Sequence, residues 1–129
     1  MAVLGTSLTI EAGVTVCFEP RLGLSVISGS LIARGTSAAP IRFTSARSTP
    51  QPGDWGPIRF EAGASNGTAT HGCALVHAEI EYGGASNSPA VGSVGSMPWL
   101  QHCTVRNCAA TGGRFDPGVS YTQPILIED

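Results

Sequence analysis

The sequence carries few charges. Charged residues make up 12% of its 129 residues, about half of the ~25% typical of soluble domains. Seven basic and nine acidic residues give a net charge of −2, so no bulk field attracts nucleic acid or an anionic membrane surface. No stretch approaches the ~20 uninterrupted apolar residues that a membrane-spanning helix requires. Any partner must therefore be recognised by local features.

Helical and metal-binding patterns are also lacking. No window carries an apolar stripe of 3.6-residue period, so little helix is predicted. The four cysteines, at positions 17, 73, 103 and 108, form no CxxC pair. They predict either two disulfides, with three alternative connectivities, or small buried free thiols. The opening "MAVLGTSLTIEAG" has neither a basic start nor a long apolar segment, which predicts an intracellular chain or a piece of a larger precursor.

The sequence is rich in glycine and proline and contains a repeated hexapeptide. Gly (17) and Pro (9) are abundant, which is typical of many short strands joined by turns. Four segments share one alternating pattern: "LTIEAG" (8–13), "LSVISG" (24–29), "IRFTSA" (41–46) and "IRFEAG" (58–63). Period-two patterning at a fixed spacing of 16 or 17 residues indicates stacked strands. We therefore expect their first and third residues to form two interior columns, Leu8/Leu24/Ile41/Ile58 and Ile10/Val26/Phe43/Phe60.

The sequence contains a second internal repeat with a longer spacing, which we call the 25-residue echo. "LVHAEIEY" (75–82) matches "LQHCTVRN" (100–107), which places His77 on His102, Ile80 on Val105 and Glu81 on Arg106. Short strands that return every 16 to 25 residues cannot form βαβ units, which need longer crossovers. Coils stacked one above another pair such strands at ~4.8 Å and share one interior.

Several motifs, taken in the order in which they occur, resemble those of a known protein family. "LTIEAGVTVCFEP", "GDWGPIRFEAGAS", "AEIEYGG" and "HCTVRNC" together resemble the right-handed parallel β-helix repeat proteins of the pectin-lyase-like superfamily, over roughly residues 7 to 110. The resemblance implies an all-β, right-handed parallel β-helix of about five coils, at residues 1–110. It also implies a secreted or surface bacterial protein that handles polysaccharide, for a longer parent chain. Residues 111–129 do not match the repeat and are expected to form a final strand, a cap or an element exchanged with a partner.

One set of candidate residues faces outward on the 25-residue alignment: His77, Glu79, Glu81, His102 and Arg106. Stacked opposite charges attract, so Glu81 and Arg106 are predicted to form an exposed ion pair worth about 0–1 kcal/mol. The favoured interpretation is a solvated strand face. The alternative is general acid/base catalysis on a sugar, since such catalysis uses a titratable group beside a second charge.

A second set is a candidate ligand-binding patch. Arg42 and Arg59 hold the same position in neighbouring hexapeptides, which predicts that they stack, with Glu61 offsetting their repulsion. Two guanidiniums can grip a carboxylate such as that of a uronic acid. Trp55, in the turn "PGDWGP", either offers a platform to a sugar ring or covers the edge of the core.

Metal chemistry is not expected. The superfamily's lyases are expected to use an arginine with clustered acidic calcium ligands, but this chain has only Asp54, Asp116 and Asp129, which are scattered. A zinc site built from its cysteines and histidines is also disfavoured, because His102 and Cys103 point to opposite sides of one strand. We therefore predict no metal and no cofactor.

Three hypotheses for function follow from these patterns. The leading one is a non-catalytic β-helix module that binds carbohydrate or serves as a structural and interaction scaffold. The alternatives are a small polysaccharide lyase or glycoside hydrolase, and an assembly or adhesin fragment. Because the end of a solenoid exposes open strand edges, we also expect a homodimer joined through the solenoid ends or the C-terminal tail.

Overall fold

The computed structural model describes residues 1–109, 113–114 and 125–127. Within these residues the chain forms short strands and one 3-10 turn at Ala85–Asn87. No helix of the described residues is long and apolar enough to span a membrane. The strands are β1 (Ala2–Val3), β2 (Thr6–Ile10), β3 (Thr15–Phe18), β4 (Leu24–Arg34), β5 (Ile41–Ser45), β6 (Ile58–Ala64), β7 (Ala74–Val76), β8 (Ala78–Glu81), β9 (Val91–Ser93), β10 (Trp99–Gln101), β11 (Cys103–Arg106), β12 (Gly113–Arg114) and β13 (Ile125–Ile127).

The strands stack in parallel on three faces. The first face holds β1, the start of β4, β6, β9 and β12. The second face holds β2, the end of β4, β7 and β10. The third face holds β3, β5, β8, β11 and β13. The chain thus winds through successive coils, and the predicted all-β parallel β-helix is confirmed.

The interior is made by the apolar residues that alternate along each strand. On the third face Val16, Phe43, Ile80 and Val105 lie in one register column, and all but Val16 are fully or almost fully buried. Because successive side chains of a strand point to opposite sides, the residues between them face outward. Burial of this apolar surface, at roughly 25 cal/mol per Å², is what holds the stacked coils together.

Half of the residues in the two predicted interior columns lie on a different face from the one predicted. Val26 pairs with Phe60, and these residues are 34 positions apart. Phe43 lies instead between Val16 and Ile80 on the third face, while Ile10 pairs with Ala33 on the second. The coil from Val26 to Phe60 takes two 17-residue periods, so the hexapeptide between them, which contains Phe43, falls on a different face.

The 25-residue echo predicts the register correctly. Ile80 pairs with Val105 and Glu81 with Arg106. Beyond it, Ile125 pairs with Cys103 of the same chain. The remainder of residues 111–129, apart from 113–114, lies outside the described residues.

Cys17, Cys73 and Cys103 are free thiols. Cys73 and Cys103 are buried, Cys108 is half-buried and Cys17 is exposed. The Cys103 thiol donates to the Leu75 carbonyl at 3.1 Å. Burial raises the pKa of the Cys73 and Cys103 thiols above the usual range, although hydrogen bonds to each lower it in part.

The cysteines should react with a thiol-labelling reagent at different rates. Under native conditions we expect Ellman's reagent to react first with Cys17, because attack requires an accessible thiolate. Cys73 and Cys103 should react only when the coils open, since burial both hides the thiols and suppresses their ionisation. Absorbance time courses with peptide mapping check this order, and a Cys17→Ser variant should lose the fast phase. Equal native rates for Cys17 and Cys103 would contradict the described packing.

Candidate functional site

The outward side chains of the third face form two rows. Arg42, Glu79 and Thr104 follow one another in register, and Glu81 is paired with Arg106 in the second row. Thr44 lies next to Glu81 and donates to its Oε1 at 3.2 Å. We call these residues of β5, β8 and β11 the third-face ladder. It brings three of the predicted acid/base residues together with Arg42.

Glu81 is the centre of the ladder. Its Oε1 lies 2.9 Å from Arg42 Nε, and its Oε2 lies 3.3 Å from Arg106 Nε. The predicted ion pair with Arg106 is confirmed, but the expectation of a solvated Glu81 is wrong, because only 5% of the residue is exposed. Guanidinium groups from the coils before and after cover this carboxylate.

Glu79 completes the charge balance. Its Oε1 lies 3.5 Å from Arg106 Nη2, so the ladder holds two arginines against two glutamates. Charge-assisted hydrogen bonds of this kind are stronger than neutral ones. The arrangement cross-links three successive coils, which is a structural use of the same side chains that an acid/base mechanism would need.

His77 and His102 lie beside the ladder, at a corner of the β-helix. The rings stack with centroids 4.6 Å apart and planes 16° apart, as the 25-residue echo predicts. Neither residue is part of a strand: His77 connects β7 to β8, His102 connects β10 to β11, and both have positive φ. The strand within "HAEIEY" therefore begins at Ala78.

The predicted arginine stack does not exist. Arg42 pairs with Glu79 on the third face, whereas Arg59 pairs with Ser25 and Gly92 on the first. The physical reason is the alternation of hexapeptides between faces described above. Glu61 does neutralise Arg59, at 2.8 Å, but Arg42 and Arg59 cannot grip one carboxylate together.

Trp55 is not a surface platform. It is completely buried and stacks on Phe18 with centroids 4.2 Å apart. Its Nε1–H donates to the Glu81 carbonyl at 2.8 Å. The turn carries the indole into the interior, where burying so large an apolar surface is favourable, so the core alternative is correct and the sugar platform is wrong.

Asp54 is a buried charge that sequence reasoning missed. Its Oδ2 accepts hydrogen bonds from Ser45 Oγ at 2.7 Å and from the Gln51 amide at 2.9 Å. Burial raises the pKa of Asp54, but these bonds and the nearby Arg47 outweigh it and hold the pKa below its usual value of 3.8. An aspartate in a Gly/Pro-rich turn is so common that no sequence signal marked it.

The lowered pKa makes a prediction about acid stability. A carboxylate whose pKa is lower when folded stabilises the fold above its unfolded pKa, and this contribution is lost as the pH falls through the folded pKa. We expect wild type to exceed Asp54→Asn in free energy of unfolding at pH 7, and this gap to shrink below about pH 4. Urea titrations of both chains at several pH values measure the gap. A gap that stays constant from pH 7 to pH 2 would contradict the assignment.

Within the described part of the chain, no group of three or more His, Cys, Asp or Glu side chains is arranged to hold a metal ion.

Comparison with known proteins agrees with the fold. The family model described as a pectate-lyase-like beta helix domain matches residues 2–97. No curated protein and no solved structure matched the chain. Because this family match covers most of the sequence and the strands wind as stacked parallel coils, the chain belongs to the pectate-lyase-like β-helix family.

Proposed function

We propose that this chain is a non-catalytic β-helix module that serves as a structural and interaction scaffold. The observation that carries this proposal is the burial of Glu81 between Arg42, Arg106 and Thr44. General acid/base catalysis needs a carboxyl group within reach of the substrate proton. Glu81 is covered by its partners, and Glu79 is paired with Arg106.

The other candidate catalytic side chains do not favour the enzyme alternative. His77 and His102 contact each other rather than a carboxylate. Asp54 is buried and accepts hydrogen bonds from Ser45 and from the Gln51 amide. Fold membership does not supply an activity, since functions reside in sites carried by the fold.

A turnover assay tests the proposal. The chain is incubated with polygalacturonate, pectin and neutral polysaccharides, with and without calcium. Reducing ends report hydrolysis, and ultraviolet absorbance of unsaturated products reports elimination. We expect neither signal above a heat-denatured control. Product formation that Glu79→Gln abolishes, in a variant shown to be folded, would overturn the non-catalytic assignment.

Acidic polysaccharide is a second candidate, as a ligand of the third face. The side chain of Arg42 is 47% exposed even though it is paired, and that of Arg106 is 30% exposed. Both guanidiniums bond the same Glu81, so they present adjacent planar groups that suit a carboxylate-bearing sugar.

Arg59 offers a matched control for this candidate. It is 48% exposed and also paired, but it lies on the first face. In affinity electrophoresis through polygalacturonate gels, Arg42→Gln should lose retardation and Arg59→Gln should keep it. Equal loss in both variants would indicate charge attraction without a site, and no retardation of wild type would remove this candidate.

Self-association is the third part of the proposal, with a second copy of this chain as the partner. Among the described residues, β1, β2 and β3 pair with a strand on one side only. Leu8, Ile10 and Val16 of these strands are only partly buried against the core. An open strand edge with an apolar cross-section favours pairing with another edge. Light scattering should give twice the 13.2 kDa chain mass, and a monomer at all concentrations would contradict it.

A further inference from the structure

The corner that holds His77 and His102 does not require histidine. Both residues have left-handed backbone, with φ of 47° and 53°. Tyr82 and Asn107 make the following corner of the same two coils with φ of 64° and 54°. The left-handed conformation thus recurs at corners of this β-helix that hold other residue types, and asparagine occupies one of them. The backbone conformation therefore does not explain why histidine occupies this corner on two successive coils, and we look for the reason in the imidazole side chains.

The strands on both sides of the corner hold the two histidines in register. Leu100 pairs with Leu75 before it, and Thr104 pairs with Glu79 after it. The His77 amide donates to the Gln101 carbonyl at 3.0 Å. The pair is accessible, since His102 is exposed and His77 is half-buried. Their relative position is therefore built into the stacking of coils and does not depend on a loop.

The ring nitrogens of this pair are available as ligands. In the described part of the chain, the imidazole nitrogens of His77 and His102 make no hydrogen bond or ion pair, and the two rings stack on each other at 4.6 Å. The third histidine differs, because His71 Nδ1 lies 2.8 Å from Thr70 Oγ1. Neutral imidazole is a common ligand of Zn²⁺, Cu²⁺ and Ni²⁺.

The spacing suits chelation. An ion bound at about 2.1 Å by two nitrogens requires them to be within about 4.2 Å of each other. The rings stack with centroids 4.6 Å and planes 16° apart, so their in-plane lone pairs run nearly parallel. Binding one ion therefore requires these accessible rings to rotate about their terminal torsions until two nitrogens converge within that distance. We propose that His77 and His102 form a two-imidazole binding site for a divalent late transition-metal ion.

The ligand class follows from the donors. Two neutral nitrogens, with water in the remaining positions, favour Cu²⁺ most strongly among the divalent first-row ions. The nearby carboxylates of Glu79 and Glu81 are paired with arginines and are not counted as ligands. The site is independent of the proposed scaffold function, because it uses neither the third-face ladder nor the open edges.

Copper binding tests the site in the full chain carrying Cys17→Ser, because the exposed Cys17 thiol would itself bind and reduce Cu²⁺. Cu²⁺ chloride is the probe, and this chain is the wild-type reference for the histidine variants. Isothermal titration measures affinity, and electron paramagnetic resonance counts the coordinated nitrogens. The variants are His77→Asn and His102→Asn, because asparagine tolerates the left-handed corner, and His71→Asn is the control. Circular dichroism and thermal unfolding without metal check that each variant is folded.

We expect one Cu²⁺ per chain with two imidazole nitrogens in wild type. Loss of either corner histidine removes the chelate and should weaken binding by about 100-fold or more, with one imidazole nitrogen left in the spectrum. His71→Asn should bind as wild type does. Wild-type affinity in both corner variants, loss of binding in the His71 variant, or a single coordinated imidazole in wild type would each overturn the proposal.

Discussion

Replacing Trp55 with alanine is expected to lower the free energy of unfolding by about 3–5 kcal/mol. The indole is completely buried, so its removal leaves a large cavity where Phe18 now stacks at 4.2 Å. The Glu81 carbonyl also loses the hydrogen bond from Nε1. Surrounding side chains close such a cavity only in part, which is why the loss should be this large.

Urea unfolding followed by circular dichroism measures this effect. Trp55→Phe is the matched variant, because it keeps an aromatic ring against Phe18 but removes the Nε1 donor. We expect its loss to be smaller than that of Trp55→Ala, and it keeps the test decisive if the alanine variant fails to fold. A Trp55→Ala protein within about 1 kcal/mol of wild type would show that the indole is not part of the core.

Replacing Glu81 with alanine should lower the free energy of unfolding by about 2 kcal/mol, between the costs for exposed and fully buried ion pairs. Removing one partner of a fully buried ion pair costs about 3–5 kcal/mol, because the other charge is left buried. Exposed pairs contribute only about 0–1 kcal/mol. Glu81 is buried, but Arg42 and Arg106 remain 47% and 30% exposed and can regain water, so an intermediate value is expected.

Glu61 provides the control for Glu81. It also bonds an arginine, at 2.8 Å, but its side chain is 34% exposed. Glu61→Ala should therefore cost no more than about 1 kcal/mol. Chemical denaturation of the two variants in parallel gives both values, and Glu81→Gln separates the loss of charge from the loss of volume. Equal destabilisation by Glu81→Ala and Glu61→Ala would mean that burial adds nothing to the ladder.

Loop length explains the errors in the predicted columns. The 25-residue echo has the register right because "LVHAEIEY" and "LQHCTVRN" occupy equivalent parts of adjacent coils. The middle coil is longer: Phe43 and Ile80 are register partners 37 positions apart, whereas Val16 and Phe43 are 27 apart. A repeat of constant spacing cannot reveal where the intervening loops add residues, so it could not assign Arg42 and Arg59 to their separate faces.

The local sequence pattern could not predict the burial of the site residues either. Alternation correctly placed Glu79 and Glu81 on the outward side of β8. It could not indicate that Arg42 and Arg106 would close over Glu81 and leave Glu79 partly exposed. Covering a side chain on the outer face depends on neighbours contributed by other coils, and these neighbours are set by register.

The sequence by itself determined the strand character, the inward and outward sides of each strand, and the succession of coils, because side-chain alternation is a local property of extended backbone. Only the tertiary structure decided which coils meet, and with them the burial of Trp55, the bridging of Glu81 by two arginines and the stack of His77 on His102. Those outcomes depend on contacts between residues about 25 to 40 positions apart, and loops of unequal length decide which of those contacts form.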